Sequence, residues 1–170
     1  MPNRHEAGET GHVPNRHEAG ETGQTPNRQK TPETEMKILV LSNLYPPDIL
    51  GGYEILCEQV VDRLRARGHQ VEVLSTRNPQ RTGPEQAQVH RLLQLYTPFS
   101  EKAGLQRRRR LRTDLHNARQ VRAFLRGREF DLAFVWSQLR LGIGALRALQ
   151  DSGLPTALTL NDEHLASYLP

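Results

Sequence analysis

The passage that most constrains the fold runs from Met36 to Glu54, MKILVLSNLYPPDILGGYE. It opens with the apolar run Ile38-Leu39-Val40-Leu41, the length of a strand buried on both faces. Ser42, Asn43 and the pair Pro46-Pro47 then stop that strand. Proline has no ladder donor and forces the residue before it out of the helical region. Gly51-Gly52 follows, and an amphipathic stretch begins at once with Tyr53-Glu54. Strand, proline-broken loop, paired glycines and helix together bring bare backbone N–H groups to a helix N-terminus, a place suited to a phosphate or another anion. Two glycines before a helix also read simply as a tight turn. Local sequence leaves both readings open.

Downstream, strand-like and helix-like segments alternate. Helix one runs from about Tyr53 to Arg67, with Ile55, Val60, Val61 and Leu64 at helical spacing and Gly68-His69 closing it. Strand two is Gln70–Ser75, the stretch Arg77–Pro84 reads as loop, and strand three is Val89–Leu93. A long helical pattern spans Glu101 to Arg126, with Leu111, Leu115, Ala118, Val121 and Leu125 marking the face expected to be buried. Strand four is Asp131–Trp136, another helix covers Leu139–Gln150, and strand five is Pro155–Leu160. This alternation implies parallel βαβ units. The expected fold class is therefore α/β, a Rossmann-like doubly wound parallel sheet of order 3-2-1-4-5. Ligands of such sheets bind beyond the C-terminal strand ends, at the switch point between strands one and four. The loops Asn43–Gly52, Ser137–Arg140 and Asn161–His164 are expected to meet there.

A hydrophobic content of 36% and a mean hydropathy of −0.66 are low for a globular chain. The first 35 residues account for this. Pro2 to Gly11 recurs as Pro14 to Gly23, and a decayed third copy begins at Pro26, a period of 12 residues. The unit is too short and too polar for a stacked solenoid and has the composition of a disordered segment. It reads as repetitive coding sequence, with Met36 as a candidate start of the folded part. His5 and His17 supply one imidazole per copy of the Pro-to-Gly segment, too few for a metal site. The tail takes 4 basic and 6 acidic residues from totals of 23 and 19, leaving 19 and 13, so residues 36–170 carry +6. The lone Cys57 excludes an intramolecular disulfide and a cysteine-built zinc site, and its helical position suggests a buried thiol. No run approaches the ~20 apolar residues of a bilayer span, and no signal peptide is visible. A cytoplasmic protein, peripheral at the inner face of a membrane, is the expectation.

Three motifs in order then resemble one family: the Tyr45-Pro46-Pro47 loop, the Gly51-Gly52-x-Glu54 helix start, and Arg67-Gly68-His69-x-Val71-x-Val73 leading into strand two. Phe130-Asp131-Leu132 before strand four is similar to the family's Phe-Asp-Val-Val step. From Met36 to Pro170 the chain resembles the N-terminal domain of family-4 retaining glycosyltransferases of GT-B architecture. The resemblance implies transfer of a sugar from a nucleotide-diphosphate sugar, with retention, to a glycan or lipid-linked acceptor held by this domain. It implies no metal and no cofactor beyond the nucleotide-sugar co-substrate. Gly51 and Gly52 match the family's diphosphate-facing glycines, and Asn161-Asp162 falls where many members have His-Asp.

Asparagine in place of that histidine cannot act as an acid or base near neutral pH. His164 is displaced from the motif by three residues. Asn161, Asp162 and His164 are therefore the catalytic candidates, without an assigned role. The family's nucleotide-binding half is not encoded here, so a truncated acceptor-side domain, inactive alone, is expected. Arg107, Arg108, Arg109, Arg110 and Arg112 form a basic run that reads as a solvated helix face or as a contact for anionic lipid headgroups. Nucleic acid is not expected, because the run lacks interleaved aromatics and any helix-turn-helix or zinc pattern. The alternative is a non-catalytic Rossmann-like module that uses this basic surface to hold an anionic partner.

Overall fold

A computed structural model describes residues 34–76, 86–99 and 107–159, all within the compact unit Glu33–Pro170. The repeat, the 77–85 loop and the candidates Asn161, Asp162 and His164 lie outside the described residues. Five strands, β1 (Lys37–Ser42), β2 (Gln70–Thr76), β3 (Val89–Leu93), β4 (Leu132–Ser137) and β5 (Thr156–Leu158), form one sheet. Their order is β3-β2-β1-β4-β5 and every pairing is parallel. This is the doubly wound Rossmann-like topology that the alternation implied.

The central position of β1 explains its unbroken apolar run. Leu39 and Leu41 face one core with Leu74, Val135 and residues of helices α2 (Arg107–Leu125) and α3 (Gly144–Asp151). Ile38 and Val40 face the other, with Val71, Val73, Trp136 and Cys57 and Val61 of helix α1 (Gly52–Ala66). A strand covered on both faces has no polar side, so strict alternation disappears. β5 is an edge strand, and its Ala157 and Leu158 are exposed.

The helix faces differ from expectation in three places. In α1 the buried residues are Glu54, Cys57 and Val61, while Ile55 is 43% exposed. In α2, Leu111 and Leu115 point outward at 60% and 51% exposure, and Thr113, Asn117, Ala118, Val121 and Phe124 face inward. Of the expected face, Ala118 and Val121 are buried and Leu125 packs against the core, so only Leu111 and Leu115 are misplaced, in the first turns where buried Thr113 and Asn117 occupy the inner face. The third helix starts at Gly144 rather than Leu139. Residues 139–141 form a turn, with Arg140 at φ 65° and Gly142 at φ 75°. Left-handed backbone at both positions stops a helix from starting earlier.

Candidate functional site

Beyond the C-terminal ends of β1 and β4 two loops meet. Asn43 joins them: its N–H donates to the Ser137 carbonyl at 3.1 Å and its Nδ2 donates to the Leu139 carbonyl at 3.3 Å. Its Oδ1 also accepts from the Leu44 N–H at 2.8 Å, and the Thr76 hydroxyl donates to its carbonyl. A single amide thereby fixes the switch point between the two neighbouring strands.

The first loop, residues 43–51, is held from below by Arg91 of β3. Its Nη1 donates to the Tyr45 carbonyl at 3.1 Å and to Asp48 Oδ2 at 3.2 Å, and its Nη2 donates to the Pro46 carbonyl at 2.7 Å. The Pro46-Pro47 peptide in this loop is cis. The Arg91 and Asp48 side chains are only 3% and 8% exposed. A guanidinium suits this position because its planar fork can serve several oxygens at once. Sequence reasoning passed over Arg91, although one charged residue alternating with buried Val89 in a short strand was a usable signal.

Glu54 closes the loop. Its Oε2 accepts from the N–H groups of Leu50 at 3.2 Å and Gly51 at 3.0 Å. This is the acidic half of a capping box: a glutamate at the third helical position reaches back to the N-cap N–H. The Gly-Gly-x-Glu spacing thus has a direct physical cause. It also changes which N–H groups remain for a ligand, since that of Gly51 is already used. Gly51 has no side chain with which to cap the first turn of α1, and no side-chain cap is made there. The first N–H groups of a helix have no intrahelical acceptor.

Neither glycine is demanded by the fold. Gly51 has φ −164°, extended backbone open to any residue. A β-carbon at Gly51 or at Gly52 would meet nothing within 4 Å. Missing side chains here leave open space beside the N-terminus of α1. Tyr53, at the rim of this space, is anchored from below: Trp136 Nε1 donates to its carbonyl at 3.1 Å, and the two rings meet edge to face at 6.4 Å.

The second loop, residues 138–143, is held by α2. Asn117, fully buried, accepts from the Gln94 N–H at 2.9 Å and donates to the carbonyls of Gln94 at 2.9 Å and Leu141 at 2.8 Å. Asp114 Oδ1 accepts from the Gly144 N–H at 3.0 Å, so the start of α3 is capped from a neighbouring helix. Arg140 donates to the Pro98 carbonyl and stacks over the Phe99 ring at 4.6 Å.

Of the carboxylates at this rim, Asp48 is paired with Arg91 and Glu54 with the loop backbone. Burial pushes the Cys57 thiol, beneath the loop, up to about 12, against a smaller opposing effect of its contact with Ser42. At neutral pH it is a thiol, not a thiolate nucleophile. The described histidines are used elsewhere: His69 accepts from the Met36 N–H, His90 pairs with Glu72, and His116 meets the Leu92 carbonyl. The rim therefore presents open space beside a helix N-terminus on a loop fixed by buried polar contacts. Among the described residues it offers no free acid–base pair.

A groove of about 550 Å³ lined by Lys37, Gln70, Glu72 and residues 127–130 opens at the opposite end of the sheet. Within it Arg128 is bonded to Glu72 at 3.0 Å and stacked on Phe124 at 4.0 Å. Loops of the switch point do not reach that end, so the groove is not the candidate site. The arginine run is also divided. Arg107, Arg108, Arg109 and Arg112 are exposed, whereas Arg110 is half-buried with its guanidinium 5.2 Å over the Tyr96 ring.

No curated protein matches the chain. Among solved structures, it is similar to the C-terminal domain of a hydrogenase from Pyrococcus furiosus, seen in two crystal structures. One is 16% identical, with a TM-score of 0.46, covering 74% of this chain and 92% of that one. The other is 14% identical, with a TM-score of 0.48, covering 73% and 91%. Residues 51–169, starting at the first of the two rim glycines, match the glycosyl transferase 4-like domain. That match spans well over half the sequence, and the chain belongs to the glycosyl transferase 4-like domain family.

Proposed function

We propose that residues 36–170 are the acceptor-side half of a retaining glycosyltransferase that uses a nucleotide-diphosphate sugar. In this reading Gly51 and Gly52 let the donor diphosphate approach the N-terminus of α1. The observation that carries it is the open space at both glycines, which neither backbone conformation nor packing requires. A glycine with no structural need, placed at a helix N-terminus beside a topological switch point, is suited to close approach by a phosphate. Arg91, Glu54 and Asn43 act as positioning residues, since they hold the loop and reach no solvent-side reacting group.

The committed state of Asp48 and Glu54 favours binding over chemistry within this unit. The acidic groups that act at the donor sugar then belong to a second domain, and the unit transfers no sugar by itself. The test is amide NMR of the chain titrated with inorganic pyrophosphate and with UDP- and GDP-sugars. Shifts concentrated at Gly52, Tyr53 and Glu54, and abolished by Gly51→Val, support the assignment. Shifts spread elsewhere, or unaltered by that substitution, overturn it. Sugar transfer by this chain alone would refute the half-site reading, and an inverted product from a full two-domain enzyme would refute retention.

A further inference from the structure

The outward face of α2 is unlike any other exposed helix face described in this protein. Positions 108, 112, 115, 119 and 122 follow at steps of four and three residues, and Leu111 lies one turn before Leu115, so all six share one side of the helix. That side reads Arg108, Leu111, Arg112, Leu115, Arg119, Arg122. All six residues are exposed, the two leucines at 60% and 51%. The one acidic residue of α2, Asp114, is turned away and caps α3. Arg122 pairs with Asp151 at the far end, leaving Arg108, Arg112 and Arg119 around the leucines.

A stripe of this kind has a specific cost and a specific use. Two leucines held in water at the centre of a helix face contribute nothing to the core, which this helix builds from its opposite side. Single exposed apolar residues are common, but a pair ringed only by arginines is complementary to a surface that is apolar just below a layer of negative charge. We propose that the outer face of α2 docks on an anionic lipid bilayer, with Leu111 and Leu115 entering the acyl boundary and Arg108, Arg112 and Arg119 contacting headgroup phosphates. Long arginine stems let the guanidinium stay at headgroup level while the leucines sit deeper. The leucines favour a bilayer over nucleic acid, whose single strands are bound by basic grooves with aromatic stacking and whose duplexes are bound mainly by phosphate contacts. The inference concerns binding only and does not depend on the glycosyltransferase reading.

The test is co-sedimentation of the whole chain with phosphatidylglycerol–phosphatidylcholine vesicles and with pure phosphatidylcholine vesicles. Binding to the first and not the second is expected, with a partition coefficient that falls as salt rises. Each of Arg108→Gln, Arg112→Gln and Arg119→Gln should lower it about fivefold, the equivalent of roughly 1 kcal/mol per basic residue near the surface. Leu111→Ser with Leu115→Ser, which keeps every charge, should lower it at least tenfold. All these positions are exposed, so an unchanged melting temperature will show that the fold is intact. Absence of binding to anionic vesicles overturns the proposal. So does binding that the double serine variant leaves unchanged, because the surface then recognises any polyanion. A change from dimer to monomer caused by the serine pair, without vesicle binding by the original chain, would assign the leucines to a contact between copies.

Discussion

Two glycine pairs flank the same switch point and are glycine for opposite reasons. At Gly51 and Gly52 an added β-carbon meets nothing, and Gly51 adopts an extended conformation. At Gly142 the φ is 75° and an added β-carbon would lie 2.1 Å from Asp114 Oδ1; at Gly144 it would lie 2.0 Å from the Asp114 carbonyl oxygen. The second pair is required by the packing of α3 on α2. The first pair is required by nothing within the described protein. Identical residue types thus include one pair fixed by packing and one pair that packing leaves open, and only contact geometry tells them apart.

Five substitutions, one of them read along a pH series, can break or sharpen this contrast. The largest effect is expected at Arg91→Leu, which removes the buried guanidinium that holds Asp48 and the carbonyls of Tyr45 and Pro46 and so releases the first loop. The loss should be about 3–5 kcal/mol by urea denaturation. Gly144→Ala comes next, at ~2–3 kcal/mol, because the obstructing atom belongs to the helix backbone and cannot rotate away. Glu54→Ala removes the acceptor for two N–H groups and should cost about 1 kcal/mol, with raised amide exchange confined to residues 50 and 51.

Alkaline stability probes the thiol beneath the first loop. The folded-state pKa of Cys57 is raised from its ordinary value of 9.0 to about 12, so the native state holds its proton longer than the unfolded chain. Its contribution is fully present below about 9 and is lost as the pH rises towards 12. Cys57→Ala should therefore flatten the decline of stability across that window in chemical denaturation, relative to the original chain.

The smallest effect on stability is expected from Gly51→Ala, within about 0.5 kcal/mol, despite its place in the family motif. Its effect should instead appear in the pyrophosphate titration. If Gly51→Ala destabilised the protein as much as Gly144→Ala, the contrast between the two pairs would collapse.

Much of the architecture was legible in the residues. The four-residue apolar run of β1 announced a central strand, and alternation with helical patterns gave the sheet order. Periodicity failed where polar residues are buried. Thr113 and Asn117 look like surface residues in α2, yet Asn117 satisfies its amide on the Gln94 backbone and the Leu141 carbonyl. Leu111 and Leu115 then look like core and lie outside. The same blindness hid Arg91, whose partners are carbonyls 45 and 46 residues away in the chain. At the candidate site, the glycines and the glutamate were visible as a motif. Their division of labour was not, because Glu54 could have been a catalytic carboxylate as easily as a cap.

The sequence by itself determined the α/β class, the parallel order of the strands and the family, since these follow from local run length, periodicity and short motifs. Tertiary structure alone decided which glycines are forced and which are free, which carboxylates are spent on the backbone, and which face of α2 meets water. Each of those depends on atoms brought together from distant parts of the chain, and hydrogen bonding or close contact at that range leaves no period in the sequence.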